Sequence, residues 1–249
     1  MNQRILITSL FVLAVAIVSV VWREAPAPAP RIPTFFEPSL PSECQQVLLV
    51  LSPHAESVPA RLWLMERDDA DGWNKCAGPI SVTLGQKGLA WGEGEHTAPA
   101  PAGFRIKREG DRCSPAGVFR IPFAFGLASA VDAGWLRLPY TPLTTTIIGV
   151  DDPKSRYYNQ VVDSTKVERD WDSNEAMMRH DGLYRWGAFI SHNPRGTPGL
   201  GSCIFLHLWP GPGKSTAGCT GMSEDDLKTV LAWLDPAKEP RIVQGLEGW

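Results

Sequence analysis

The sequence has no run of Lys and Arg, no CxxC pair and no HxxxH pair, and only 5 His among 249 residues. The first absence, together with a formal net charge of −3, excludes a nucleic-acid partner, because phosphate binding requires a basic surface. The other two remove the spacings from which metal sites are usually built, so neither a resident metal nor an organic cofactor is expected. Beyond residue 42 no linker and no internal repeat interrupts the chain, and residues 42–249 read as one domain. Helical periodicity is scarce as well: only "SEDDLKTVLAWL", Ser223 to Leu234, keeps apolar residues at helical spacing behind a Ser N-cap and an acidic first turn.

Charge is missing from one stretch altogether. Ile5 to Trp22 carries none, and about 18 apolar residues just suffice to cross a bilayer as a helix. Pro26 and Pro28 follow at once and disfavour signal cleavage, so residues 1–22 are expected to act as a membrane anchor, with a cleaved signal as the alternative. Residues 23–41, "REAPAPAPRIPTFFEPSLP", are expected to form a Pro-rich extended spacer. In either case residues 42–249 are expected to be exported and extracytoplasmic; a monomer is expected as well.

The composition, 43% apolar and 20% charged, supports a sizeable core. Short apolar, β-branched runs follow one another: "QQVLLVLS", "ARLWLMERD", "PISVTLG", "GVFRIPFAFG", "TTTIIGVDD", "WGAFISHN", "GSCIFLHLW" and "PRIVQG". The punctuation is 23 Gly and 22 Pro, with a hairpin signal at Asp71-Gly72. This predicts a mainly β fold, a mixed sandwich or barrel with a few short helices, one of them around "NEAMMRH". Asp151-Asp152 before Pro153 reads as a turn cap rather than an acid–base pair.

The five cysteines are an odd count for an exported chain, which suggests two disulfides and one free thiol. Cys44 with Cys76, and Cys113 with Cys203, are one of the arrangements open to them.

The chemistry concentrates in "LHLWPGPGKSTAGCTGM", Leu206 to Met222. An extended "CIFLHLW" puts Cys203 roughly 13 Å from His207 at a rise of about 3.3 Å per residue, too far to share a metal ion. The Gly-Pro loop after Pro210 lets the chain turn back and bring Cys219 beside His207. Such a pair is expected to activate the thiol as a thiolate–imidazolium nucleophile. The N–H groups of Gly218 and Cys219 are suited to an oxyanion, and the Leu208 carbonyl to orienting the imidazole. The same residues also fit a buried small thiol and a satisfied core histidine.

"STAGCTGMSEDDL" resembles the nucleophile segment of the YkuD-type L,D-transpeptidases, and "FLHLW" resembles the strand that carries that family's catalytic His. "SPAGVFRI" and the preceding "ISVTLGQKG" are similar to two further family segments, so the resemblance runs from about residue 47 to 245. It implies that fold, with Cys219 as nucleophile, His207 as base, Leu208 O orienting the His, and Gly218 beside the oxyanion. It also implies that peptidoglycan stem peptides are the substrate, cross-linked through a thioester. The alternatives are an L,D-carboxypeptidase or amidase, and a cell-wall binding module without turnover. Ala217 stands where most members carry a second His, and the His-to-Cys spacing is shorter than usual, which bears on substrate choice. Candidate substrate-binding residues are His192, Asn193 and Arg195 in "ISHNPRG", where a solvated turn fits equally, with Trp209 and Thr216 as walls of the cleft. "DDPKSRYYNQVVD" and "DWDSNEAMMRHDGLYRW" are expected to form a lid or a loop packed by its own side chains.

Overall fold

The computed structural model describes residues 30–68 and 72–249. The anchor segment, most of the Ala-Pro run and Asp71 lie outside the described residues. Among those described, no helix is long and apolar enough to cross a membrane.

Among the described residues, fourteen strands and one α-helix follow in order. The strands are β1 (Gln46–Ser52), β2 (Pro59–Asp68), β3 (Gly72–Thr83), β4 (Leu89–Trp91), β5 (Ser114–Arg120), β6 (Ala124–Gly126) and β7 (Tyr140–Pro142). They continue with β8 (Ile147–Val150), β9 (Gln160–Asp163), β10 (Asn174–Ala176), β11 (Trp186–Phe189), β12 (Phe205–Leu208), β13 (Thr220–Met222) and β14 (Arg241–Leu246). The helix α1 covers Glu224–Trp233. An 11-stranded mixed sheet runs β4-β5-β14-β1-β2-β3-β13-β12-β11-β6-β7, and a 3-stranded sheet runs β10-β8-β9. The fold is therefore mainly β, as the strand-like runs predict.

Burial explains the central strands. Every residue of "QVLLVLS" in β1 is buried, the pattern of a strand covered on both faces, between parallel β14 and antiparallel β2. The helix starts at Ser223, whose Oγ accepts from Asp226 N, and the acids Glu224, Asp225 and Asp226 sit at the positive end of its dipole. Leu227, Val230 and Leu231 of α1 join Leu206 and Leu208 of β12 in the main core. Phe205 on the other face of β12 joins Cys203, Tyr184 and Cys219 in a second, smaller core. Strand β12 thus carries main core on one side and the sulfur-bearing cluster on the other, by the period of two that strands impose.

Several expectations are corrected. The spacer does not run to residue 41, because Ile32, Phe36 and Leu40 are buried; Phe36 stacks on Trp91 at 5.4 Å, so packing begins ahead of β1. "NEAMMRH" supplies strand β10, paired antiparallel with β8, rather than a helix. No disulfide forms and all five cysteines are free. Their sulfurs meet separate backbone carbonyls: Cys44 Sγ donates to Gln46 O, Cys113 Sγ to Lys87 O and Cys203 Sγ to Val150 O, while Cys76 is exposed on β3. Cys203 itself precedes β12, because its φ of +53° breaks the extended run.

Candidate active site

His207 sits on β12 between Gly187 of β11 and Gly221 of β13, so neither register neighbour crowds its ring with a side chain. Its Nδ1 lies 2.7 Å from Leu208 O. A carbonyl only accepts, so Nδ1 carries the hydrogen and the Nε2 lone pair is left for a proton. The ring stands edge-on to Tyr184, centroids 5.1 Å apart. Tyr184 is in turn tied to the strand that carries the His, because Leu208 N–H donates to Leu183 O at 3.0 Å.

Cys219 is buried just ahead of β13, and two hydroxyls hold its backbone carbonyl: Ser114 Oγ donates at 2.9 Å and Thr216 Oγ1 at 2.6 Å. Ser114 reaches across from β5, so the "SPAGVFRI" segment holds Cys219 directly. Thr216 Oγ1 also accepts the Gly218 N–H at 3.1 Å, which closes the turn. The Gly218 N–H expected at the oxyanion is therefore engaged, whereas the Cys219 N–H donates to no protein acceptor among the described residues. Gly218 has φ +155°, and a Cβ there would stand 3.1 Å from Cys113 O, so the turn requires glycine.

Cys219, His207, Thr216, Ala217 and Gly218 line one cleft of about 570 Å³ together with Glu175, Arg179 and Tyr184. The thiol is at rest against the protein: Phe205 N–H donates to Cys219 Sγ at 3.4 Å, and Sγ donates to Cys203 O at 3.7 Å. Burial, followed by the charge of Glu175, pushes the Cys219 thiol up to about 12, and burial lowers His207 to about 4. Burial therefore favours the neutral thiol and the neutral imidazole over the thiolate–imidazolium form at rest.

The other candidates lie elsewhere. His192 is buried: Glu93 N–H donates to its Nδ1, and its Nε2 bonds Leu200 O at 2.8 Å. Asn193 is also buried, donating from Nδ2 to Thr197 O and Gly201 O and accepting from Thr197 N. Their polar atoms are committed to backbone groups, and neither lines the cleft that holds Cys219 and His207. Arg195 pairs with Glu93 beside a separate cleft of about 500 Å³. Trp209 follows the end of β12, gives its N–H to Met222 O, and is absent from the cleft lining. Asp152 caps a turn as expected, accepting from Lys154 N and Asp172 N. Among the described residues no three His, Cys, Asp or Glu side chains are grouped to hold a metal ion.

The sequence reading missed Ser114, Glu175, Arg179 and Tyr184. The last three stood in the "lid" stretch, which meets β12 through the Leu208 N–H to Leu183 O bond and through β11, into which it leads.

The two buried histidines make stability depend on pH. Burial lowers both His192 and His207 from 6.5 to about 4, so below 6.5 the unfolded chain binds protons that the fold refuses. Their contribution is complete above the unfolded value and is lost as pH falls toward 4, on the order of 3 kcal/mol for each site. Urea unfolding at pH 5 is expected to show a lower midpoint than at pH 7; equal midpoints would contradict this assignment.

A family model described as the L,D-transpeptidase catalytic domain, YkuD, matches residues 57–243. No curated protein and no solved structure matches the chain.

Proposed function

Because the chain belongs to the L,D-transpeptidase catalytic-domain family, an acyltransferase-type group, over residues 57–243, we propose that it cross-links peptidoglycan stem peptides through a thioester on Cys219. The observation that carries this reading is the meeting of Cys219 and His207 in one cleft, with Nδ1 fixed on Leu208 O and the Nε2 lone pair left open.

The chemistry proceeds in two halves. Sγ attacks the carbonyl of the third stem residue as its proton passes to His207 Nε2, and the oxyanion meets the Cys219 N–H. The imidazolium then protonates the leaving amine, the terminal D-amino acid departs, and a thioester remains. An amine of a second stem attacks that thioester, restoring the thiol and forming the cross-link. Neutral resting groups suit this order, since no charge needs to be held in the buried cleft before substrate arrives.

This reading places the domain in the cell envelope, with residues 1–22 holding it to the cytoplasmic membrane. Ala217 is exposed and lines the cleft beside the nucleophile, so the missing side chain there leaves room for a bulkier substrate group. Incubating the full chain with tetrapeptide muropeptides and weighing the products tests the reaction. Loss of one D-amino acid with formation of dimers is expected; intact tetrapeptide after long incubation would refute it.

A further inference from the structure

Glu175 lines the cleft yet takes no part in the acylation half-reaction. It sits on β10, in the small sheet, and its Oε1 receives both of its protein donors, Tyr184 OH and Arg179 Nη1, the latter at 3.2 Å. Its Oε2 meets no donor among the described residues. The carboxylate is close enough to the sulfurs that its charge raises both the Cys219 and the Cys203 thiols. Neighbouring cations are already engaged: Lys107 Nζ bonds Asp111 Oδ1 at 2.7 Å and Arg108 O at 2.9 Å, and Arg179 Nε bonds Asp181 Oδ2 at 3.0 Å. An incoming cation is what Oε2 fits.

Resting on the cross-linking reading, we propose that Glu175 is a catalytic residue of the second half-reaction, its Oε2 receiving the primary ammonium of the acceptor and taking the first proton that this group loses. An alkyl ammonium, protonated near neutrality with a pKa of about 10, must lose two protons to become an amide N–H. Glu175 takes the first and becomes the acid, which frees the nitrogen lone pair. That pair forms the C–N bond to the thioester carbon while the carbonyl π pair moves onto oxygen. His207 Nε2 takes the second proton. As the oxygen pair returns, the C–S bond breaks, and the departing sulfur recovers its proton from His207. Glu175 then releases its proton to solvent. Water attacking the same thioester loses only one proton, for which His207 suffices. A second base in the cleft therefore favours aminolysis over hydrolysis. Burial, reinforced by the charge of Asp151, raises the Glu175 pKa and narrows its gap to the ammonium.

The test uses the full chain, a tetrapeptide donor and a stem tripeptide that carries a side-chain amine. The readout is the ratio of cross-linked to hydrolysed product, in which the acylation rate cancels. Glu175→Gln keeps an Oε1 acceptor for Tyr184 and Arg179, and is expected to lower the ratio at least about tenfold near pH 7. The deficit is expected to shrink toward about pH 9, where more of the amine is already free. Glu175→Asp should fall between the two. An unchanged ratio overturns the proposal. So does loss of both products in a folded Glu175→Gln chain, because the residue would then act before the acceptor binds. A wild-type chain that only hydrolyses its donor refutes the cross-linking reading itself, and the proposal with it, without any variant being needed.

Discussion

Cys219→Ala is expected to abolish product formation, with turnover falling by about three orders of magnitude or more, the scale seen when a covalent nucleophile is removed. The loss is chemical rather than structural. The change removes one sulfur atom from the smaller core and leaves the Phe205 N–H without the acceptor it has at 3.4 Å, a cost on the order of 1 kcal/mol. The two hydroxyls that hold the Cys219 carbonyl, from Ser114 and Thr216, are untouched by the substitution. A melting curve close to wild type, alongside absent product, is the expected pair of results. Cross-linked or shortened muropeptide from the alanine variant would place the nucleophile elsewhere.

His207→Gln comes second in size. Glutamine keeps much of the volume beneath Tyr184 but cannot accept the thiol proton, so turnover should fall by about 10²- to 10⁴-fold. The effect should reside in the acylation rate, since a thiol pushed up to about 12 supplies little thiolate without its base. Raising the pH should then recover part of the lost rate in His207→Gln, because solvent hydroxide replaces the imidazole as proton acceptor. A variant whose rate equals that of wild type at neutral pH would remove His207 from the mechanism.

Much of the fold was legible because its signals are local. The apolar run of β1, the Ser223 cap and the spacing of Leu227, Val230 and Leu231 each follow from neighbouring residues. That Cys219 and His207 share a cleft was legible too, since twelve positions with a Gly-Pro turn between them allow only a few arrangements. Long-range pairing was not. Nothing near Glu175 announces that β10 will pair with β8 and deliver a carboxylate to the cleft. "ISHNPRG" looked like a polar surface, yet His192 and Asn193 are internal because backbone groups of the following turn, together with the Glu93 amide, satisfy the polar side-chain atoms they bring. The effect of burial on Cys219 and His207 also escaped the sequence: residue types suggest an ion pair, whereas burial favours the neutral form of each. The disulfides failed for a related reason, as an odd cysteine count constrains pairing only when the sulfurs meet, and here each faces a different part of the backbone.

The central claim is that Cys219 carries the acyl group. Intact-protein mass measurement on the wild-type chain, quenched in acid soon after mixing with tetrapeptide, tests it most directly. The account predicts one added mass equal to the tetrapeptide less its terminal D-amino acid, removed by hydroxylamine and mapped by fragmentation to Cys219. An adduct mapped to Cys203 or Cys113, or products formed with no adduct at any quench time, would contradict it.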